Sequence, residues 1–452
     1  MLSRITSRFW SPSPHVDPQG ALDEAVECGA AQEADTTQRK RKRLVRKSGQ
    51  ERSYFKQIRW SPDGQCLLTN SADATLRLFP VLLPLEQEDS HVAHDGVAVP
   101  AETAETADWT ADWTADWTAG TVLPHAESVH DMVWYPYMTT ENPATCCFFV
   151  ASREHPVQLR DAYTLENRAA YVYVDHRERM VAPYALALNH TGTKLVGACE
   201  ASLVVFDVQR PGNQCQVIRT SPTRKSKEGQ KSILSCIDFA PNGEALYAVG
   251  AYDRSIWLYD ERAHKRILKV GGKQKAGVTQ VQFSDDGTCL LSANRKDDHI
   301  YIWDIRHQVT CLASLPRKGQ TQQRIHFDAR GDHLVTGDTN GHVHVYDWKR
   351  CSQQPDATKP VSSWHAHDGI TFASPHSDLC RKRLNDRVVS TDPVNSIAFH
   401  PLSAEWIISA SGARRAPRYL QKGDQEENAE EDTSPAEETS QRRSDHTLKL
   451  WR

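Results

Sequence analysis

Short alternations of apolar and polar residues recur along this chain, and each is long enough for a β-strand but too short for a helix. The stretch Ser232–Arg306 contains one unit of four signals, which is repeated 44 positions later (Phe239 to Phe283). The two copies are Ile237-Asp238-Phe239, Asn242-Gly243, Asp253, Tyr259-Asp260 and Val281-Gln282-Phe283, Asp286-Gly287, Asp297, Trp303-Asp304. Alternation of period two predicts strands with one buried face, and the Asn-Gly and Asp-Gly pairs predict hairpin turns between them.

A repeat of about 40–45 residues that ends on Trp-Asp, or on a relative of that pair, is typical of a WD-repeat propeller blade. One small antiparallel sheet cannot bury both of its faces, so neighbouring copies must cover them. The sequence therefore predicts an all-β propeller whose blades pack face to face.

The blades can be counted from the residue that ends the third strand of each. Seven positions fit: Phe79, Arg160, Phe206, Tyr259, Trp303, Tyr346 and Trp451. The intervals before Arg160 and Trp451 are long, and three insertions of unusual composition, at 86–118, 369–391 and 413–443, account for the excess. We therefore predict a seven-bladed propeller over residues 44–452, preceded by a disordered region at 1–43. The last blade needs an outer strand, and Leu44–Arg52 is the predicted source of it.

Composition narrows the possible partners. With 54 basic and 58 acidic residues the formal net charge is −4, so any nucleic-acid surface must be local. The 11 cysteines form no Cys-x-x-Cys pair, which favours free thiols in a reduced compartment over a disulfide or zinc scaffold. No run approaches the roughly 18 apolar residues of a membrane span, and no signal-peptide core is present. We therefore expect no membrane partner and no metal.

The N-terminal region contains one dense basic cluster. Its members are Arg39, Lys40, Arg41, Lys42 and Arg43. Such a cluster is typical of a nuclear localisation signal, and a nucleic-acid-binding arm or a solvated tail are the alternatives. The third insertion has the opposite charge, with eight acidic residues between Asp424 and Glu438, and is predicted to be a flexible loop.

The first insertion contains Thr-Ala-Asp-Trp three times in succession, which places Trp109, Trp113 and Trp117 four positions apart. On a helix these rings would share one face and could dock on a partner. A tandem duplication within a disordered loop is the alternative.

Several segments, in order along the chain, resemble the telomerase Cajal body protein family of WD-repeat proteins. They are Arg59–Gly64, Leu68–Asp73, Ser152–Pro156, Ile233–Pro241, Arg295–Asp297, Trp303–Arg306 and Gln323–Asp328. The insertion between Gly412 and Leu448 is also similar to one in that family. The chain departs from the family at Arg160, where the family has Trp, and in the Thr-Ala-Asp-Trp repeat.

The resemblance implies a non-enzymatic RNA-binding adaptor that needs no cofactor. Such a protein recognises a short single-stranded box in the terminal loop of H/ACA-type small Cajal body RNAs and of telomerase RNA, and directs the ribonucleoprotein to nuclear (Cajal) bodies. Its partners would be H/ACA ribonucleoprotein and telomerase proteins, and no DNA is expected. The residues agree with this, because no Ser/His/Asp, paired-carboxylate or Gly-rich phosphate-loop spacing stands out.

RNA loops are recognised by bases that stack on aromatic rings or guanidinium planes and by basic side chains on phosphates. In a propeller, the turns between second and third strands lie on the same face as the segments that lead into first strands. Candidate groups at that face are Arg153, His155, Tyr252, Arg254, Arg295 and Lys296 at turns, and Arg324 in a first strand. Ion pairs that stabilise the turns are the alternative for Arg153 and Arg295. The basic loop Arg219–Lys231 is a further candidate for phosphate contact, or simply a solvated loop.

Two consecutive blade ends have the form aromatic-Asp-x-Arg, namely Tyr259–Arg262 and Trp303–Arg306. This pattern resembles the box by which substrate receptors dock on the adaptor of cullin–RING ubiquitin ligases. A ligase substrate receptor, or a general protein scaffold, is therefore the alternative function.

Overall fold

Seven four-stranded antiparallel sheets make up the body of the molecule and form a propeller, which confirms the predicted all-β, seven-bladed architecture. The computed structural model describes residues 54–81, 111–116, 120–223, 225–226, 228–306, 309–354, 358–369, 390–412 and 447–452. The N-terminal basic cluster and the acidic third insertion lie outside these residues. All seven predicted blade-end residues, including Arg160, lie in the third strand of a sheet.

Blades 1 to 3 occupy the first half of the chain. Blade 1 consists of β1 (Phe55–Trp60), β2 (Cys66–Ser71), β3 (Thr75–Pro80) and, after β4 (Ala111–Asp116), which pairs elsewhere, β5 (Thr121–Pro124). Blade 2 consists of β6 (Val129–Trp134), β7 (Cys147–Ser152), β8 (Val157–Asp161) and β9 (Asn167–Tyr171). Blade 3 consists of β10 (Ala185–Leu188), β11 (Lys194–Ala198), β12 (Ser202–Asp207) and β13 (Cys215–Arg219).

Blades 4 to 7 follow the same order from the first, innermost strand outward. Blade 4 consists of β14 (Leu234–Phe239), β15 (Leu246–Ala251), β16 (Ile256–Asp260) and β17 (Arg266–Val270), and blade 5 of β18 (Val278–Phe283), β19 (Cys289–Asn294), β20 (His299–Asp304) and β21 (Thr310–Pro316). Blade 6 consists of β22 (Phe327–Arg330), β23 (His333–Gly337), β24 (His342–Asp347) and, after the helix α1 (Trp348–Gln353), β25 (Ser362–His365). The short strands β26 (Asp368–Gly369) and β27 (Ser390–Thr391) pair with each other at the two ends of the second insertion, before β28 (Val394–Phe399), β29 (Ile407–Ser411) and β30 (Thr447–Trp451) of blade 7.

The outer strand of blade 7 is β4, which comes from the first insertion. β4 pairs antiparallel with β30, with Trp113 opposite Leu450 and Asp116 opposite Thr447. The structure thus corrects the sequence assignment of this position to Leu44–Arg52, a segment that lies outside the described residues. It also corrects the expectation of a helix or a disordered loop for Ala111–Asp116, since these residues form a strand. Trp109 and Trp117 lie outside the described residues.

The core lies between adjacent blades, as the packing of small sheets requires. Blades 1 and 7 share one apolar cluster in which Phe55 and Leu67 pack with Ile408 and Leu448, all almost fully buried. Burial on this scale is the main favourable contribution to the packing of one sheet on the next. The seam of the ring is therefore held by side-chain packing as well as by β4.

Side chains on the first strands also join each blade to the next. The carboxylates of Asp131, Asp238 and Asp328 accept the backbone N–H groups of Leu186, Phe283 and Phe399 in the following blade, at 2.8, 2.8 and 2.9 Å. At the seam, Ser396 Oγ accepts the N–H of Ile58 at 3.0 Å. These bonds satisfy strand N–H groups that face the channel and have no partner within their own sheet. Polar residues in the first strands thus link neighbouring blades by hydrogen bonds.

Two further observations concern the described part of the chain. Its nine cysteines are free thiols, most of them buried. None of its helices combines the length and the apolar character that a membrane crossing requires.

Candidate nucleic-acid interface

The candidate side chains project from turns at one face of the propeller. Arg153, Tyr252 and Arg295 each follow the second strand of their blade directly, in blades 2, 4 and 5. The equivalent turns contain residues with positive φ, +73° at Arg254 and +52° at Lys296, so the backbone is tightly folded there. The prediction that Arg324 lies in a first strand is wrong, because it lies in the segment that leads into β22. The four side chains therefore come from blades 2, 4, 5 and 6.

Tyr252 lies between two guanidinium groups. The guanidinium carbon of Arg295 stands 4.3 Å from the centre of the Tyr252 ring, a cation–π contact. Arg324 Nη2 donates to the Tyr252 hydroxyl at 3.4 Å and to the Ser235 carbonyl at 2.9 Å. Because the three side chains come from blades 4, 5 and 6, the contact fixes an aromatic ring across two blade junctions.

A second aromatic pair lies beside this group, and the sequence did not reveal it. The rings of His130 and Tyr184 stack with centres 5.0 Å apart and planes 21° apart. His130 Nδ1 donates to the Pro183 carbonyl at 3.0 Å. Burial lowers the pKa of His130, and the positive charges of Lys56 and Arg324 lower it further. The ring is therefore neutral near pH 7 and able to stack.

Electrostatics connect the pair to the turns. Burial raises the pKa of Tyr184, while the positive charge of Arg153 lowers it and the Tyr252 hydroxyl raises it. The charge of Arg153 also lowers the pKa of His130. The electrostatic environment of Tyr184 therefore includes groups from both turns. We call the seven side chains that are linked by these contacts or by these charge effects the rim cluster: Lys56, His130, Arg153, Tyr184, Tyr252, Arg295 and Arg324.

Arg153 also forms an ion pair with its neighbour Glu154, with Nε and Oε1 3.3 Å apart. The two side chains are 62% and 67% exposed, so the pair contributes no more than about 1 kcal/mol to stability. Arg153 can therefore exchange Glu154 for another anion at little cost.

The remaining predicted residues are not drawn into the rim cluster. His155 Nδ1 donates to the carbonyl of Arg153 at 2.8 Å and so folds onto its own turn. Arg254 and Lys296 are exposed on the same face, and in the described part of the chain no hydrogen bond, ion pair or ring contact joins their side chains to the cluster. They are placed to meet a large ligand rather than to shape the site.

The central channel is a cavity of about 530 Å³ lined mainly by the first strands, and Arg324 of the rim cluster is part of its lining. In the channel wall, Arg59 Nη2 lies 3.7 Å from Asp131 Oδ1, which also accepts Gln57 Nε2 at 3.1 Å. Burial raises the pKa of Asp238, in the same wall, to about 7. Among the described residues no group of three or more His, Cys, Asp or Glu side chains is arranged to hold a metal ion.

The two aromatic-Asp-x-Arg boxes lie at the ends of β16 and β20, away from these turns. In the second box, Arg306 donates from Nε to Asp304 Oδ1 at 3.1 Å and from Nη2 to Oδ2 at 2.7 Å. In the first box, Asp260 Oδ1 accepts the backbone N–H of Arg262 at 2.6 Å. Both aspartates thus cap their own turns.

Comparison with known proteins gives a consistent result. The WD domain, G-beta repeat model matches residues 44–79, 222–260 and 265–304. Telomerase Cajal body protein 1 of Bos taurus is 31% identical over 380 residues, and that of Homo sapiens 32% over 382 residues; both alignments cover 84% of this chain and 61% of the relative. The Drosophila melanogaster homologue is 29% identical over 307 residues, 66% of this chain and 51% of its own. The chain thus spans less than two thirds of the length of these relatives.

Proposed function

This chain is a WD-repeat propeller homologous to the telomerase Cajal body proteins, and from that premise we propose that it is a non-enzymatic RNA-binding adaptor. Its ligands are H/ACA-type small Cajal body RNAs, with telomerase RNA among them. It brings the resulting ribonucleoprotein, with its H/ACA and telomerase proteins, to nuclear bodies. The relatives' names support the nuclear-body part of this proposal, and the rim cluster supports the RNA part.

The observation that carries the proposal is Tyr252 held between two guanidinium groups beside the His130–Tyr184 stack. Unpaired bases of an RNA loop stack on aromatic rings and guanidinium planes, and each stacked base contributes about 1–3 kcal/mol. A double-stranded stem offers no free base faces. The rim cluster therefore suits a looped, single-stranded segment.

The basic side chains at this face divide into two roles. Arg324 is half-buried and bound to the Ser235 carbonyl and to Tyr252, so its role is to position the ring. Arg153, Arg254 and Lys296 are exposed, so their role is to contact phosphates. Phosphate contacts release counterions, and binding should therefore weaken steeply as salt rises.

Crosslinking and sequencing of the RNA bound in cells tests the proposal directly. H/ACA-type guide RNAs should dominate the crosslinked set, with contacts in terminal loops. A random profile, or one of unrelated messenger RNAs, would overturn it. With purified protein, Tyr252→Ala should weaken binding of such a loop about 5- to 100-fold, the loss expected for one stacked base.

Arg210→Ala is the matched control for charge. Arg210 is 74% exposed in the turn between β12 and β13, which lies at the opposite face to the turns between second and third strands. Its loss should leave the affinity for RNA unchanged, whereas Arg295→Ala should reduce it. Equal effects of the two substitutions would mean that RNA binds by charge alone and not at this rim.

Among the described residues no specific contact favours the ligase-receptor alternative, and Asp304 already binds the Nε–Nη2 edge of the Arg306 guanidinium. Recovery of cullin–RING subunits with the wild-type protein, and their loss on Arg262→Ala with Arg306→Ala, would nevertheless establish it.

A further inference from the structure

The connection between blades 3 and 4 is a basic loop whose two ends are bonded to each other and to blade 4. Thr220 is buried, its hydroxyl donates to the Gln230 carbonyl at 2.6 Å, and Gln230 N donates back to the Thr220 carbonyl at 3.2 Å. Gln230 is itself anchored in blade 4, where its Nε2 donates to Val249 O at 3.0 Å and its Oε1 accepts the Tyr259 hydroxyl at 3.0 Å. Thr220 and Gln230 are thus held together, and Gln230 is held in blade 4.

Between Thr220 and Gln230, the described residues of the loop bond to one another. Ser221 Oγ lies 2.9 Å from the Thr223 carbonyl and 3.1 Å from the Glu228 carbonyl, and it shares its one hydrogen between them. Ser226 N donates to Thr223 at 3.2 Å. In the described residues of 221–229, which omit positions 224 and 227, every hydrogen bond stays within the loop. These described residues can therefore be displaced together without breaking a hydrogen bond to the propeller body.

The root of the loop touches the turn that presents the rim cluster. Asp253 Oδ2 accepts the backbone N–H of Lys231 at 3.2 Å, and Asp253 N donates to Ser232 Oγ at 2.8 Å. Asp253 lies between Tyr252 and Arg254 in the chain. A change of charge in the loop therefore changes the electrostatic potential at the proposed RNA surface.

We propose that Ser221 is a phosphorylation site for a proline-directed protein kinase and that the added phosphate weakens RNA binding at the rim. Ser221 is followed by Pro222, which is exposed, and then by Thr223-Arg224-Lys225. Proline has no N–H to satisfy and a fixed φ, so an apolar kinase pocket can accept its ring directly after the serine. The basic residues that follow match an acidic groove on such an enzyme.

The reaction is an ordinary phosphoryl transfer. Ser221 Oγ attacks the γ-phosphorus of ATP, the bond from that phosphorus to the β,γ-bridging oxygen breaks, and ADP leaves. The proton of the hydroxyl passes to the catalytic aspartate of the kinase. ATP, with its magnesium, is the only co-reactant.

The phosphate reverses the role of Ser221 in the loop. The hydroxyl is a donor to two carbonyl oxygens, whereas the phosphate carries about −1.5 to −2 charges and only accepts. It is repelled by those carbonyls and by Glu228, so the loop opens. The effect on RNA depends on the proposed function: about two negative charges beside a phosphate-binding surface should raise the Kd for loop RNA about three- to tenfold at low salt.

The site is tested with the purified full chain, a cyclin-dependent kinase and ATP, with mass spectrometry of the Ser221 peptide as the readout. On that peptide we expect one phosphate in wild-type and in Thr223→Ala, and none in Ser221→Ala or Pro222→Ala. Ser61-Pro62 is the internal control, because Ser61 is fully buried and should be modified only after denaturation. An unmodified Ser221 in a folded chain, or equal labelling of Pro222→Ala, would refute the site.

The affinity for loop RNA, measured before and after phosphorylation, tests the regulation separately. A loss of affinity in wild-type but not in kinase-treated Ser221→Ala is the expected result. Unchanged affinity of the phosphorylated protein would refute the regulatory role. If the untreated protein binds no such RNA, the proposed function fails, and the mass readout still decides whether Ser221 is a site.

Discussion

Asp238→Asn should make the propeller more stable at neutral pH, although it removes a carboxylate that bonds to the next blade. Asp238 lies in the channel wall, where burial raises the pKa of its carboxyl from 3.8 to about 7, in spite of the Phe283 N–H bond and of Arg59, which lower it. In asparagine, Oδ1 can still accept the Phe283 N–H. The substitution therefore keeps the hydrogen bond to Phe283 and removes the buried charge.

The sign and size follow from proton linkage. Because the pKa of Asp238 is higher in the folded than in the unfolded chain, the folded state binds the proton more tightly. Stability is therefore greatest below pH 4 and falls as pH rises through 4 to 7. A pKa difference of about 3 units corresponds to at most roughly 4 kcal/mol; since the side chain is partly exposed to the water of the channel, we expect about 2 kcal/mol.

Urea unfolding at pH 4.5, 6 and 7.5, followed by tryptophan fluorescence, measures this. The advantage of Asp238→Asn over wild-type should grow with pH and level off above pH 7.5. Asp207→Asn, which removes a half-exposed carboxylate outside the channel, should show no such growth. A pH-independent difference, or one that favours wild-type more as pH rises, would refute the burial argument.

Three further predictions concern the seam and the rim. Deletion of Ala111–Thr114 should leave the melting temperature unchanged, because the upstream repeat restores the same residues opposite β30. The shorter deletion of Trp113–Thr114 breaks the repeat and should lower the free energy of unfolding by about 1–3 kcal/mol. Equal losses of stability in the two variants would contradict this. Gly64→Val should destabilise by more than about 2 kcal/mol in thermal unfolding, because Gly64 has φ +72° and a Cβ there would lie 2.1 Å from His400 Nε2; a neutral effect would disprove the close approach. Arg324→Lys keeps the charge but shortens the side chain, so that it loses the Nη2 group that donates to Ser235 O and to the Tyr252 hydroxyl. Loop-RNA affinity should therefore fall about tenfold with little change in its salt dependence; unchanged affinity would show that charge alone matters at that position.

The blade count could be predicted from sequence because each blade repeats the same local signals. Alternation, a turn pair and a strand-ending residue all lie within one unit, so even Arg160, which is not aromatic, was placed correctly in a third strand. These signals reflect burial and turn geometry, both of which act over a few residues.

The closing strand was not predictable in the same way. The Thr-Ala-Asp-Trp repeat does alternate polar and apolar residues, as a strand would, but nothing in it identifies β30, far away in the chain, as its partner. Outer strands are paired on one side only, so their sequences are weakly constrained. Pairing over such a distance is decided by the closure of the ring and leaves little local trace.

The candidate site was predictable at the level of turns but not of contacts. Arg295 and Tyr252 were selected because they lie in equivalent turns, and they do meet. His130 and Tyr184 lie in or beside first strands, where an aromatic residue usually indicates core. Their stacking depends on how blades 2 and 3 meet, which the sequence of neither blade contains.

The origin of β4 has a consequence for how the protein is made. About 330 residues separate Asp116 from Thr447, and a ribosome needs roughly 15 to 65 seconds to add that many at about 5–20 residues per second. For that time the last sheet has no third strand for β4 to join, and its hydrogen-bonding edge stays open on the nascent chain. Such an edge is a template for wrong pairing, so the growing polypeptide should depend on a chaperone until β30 leaves the exit tunnel.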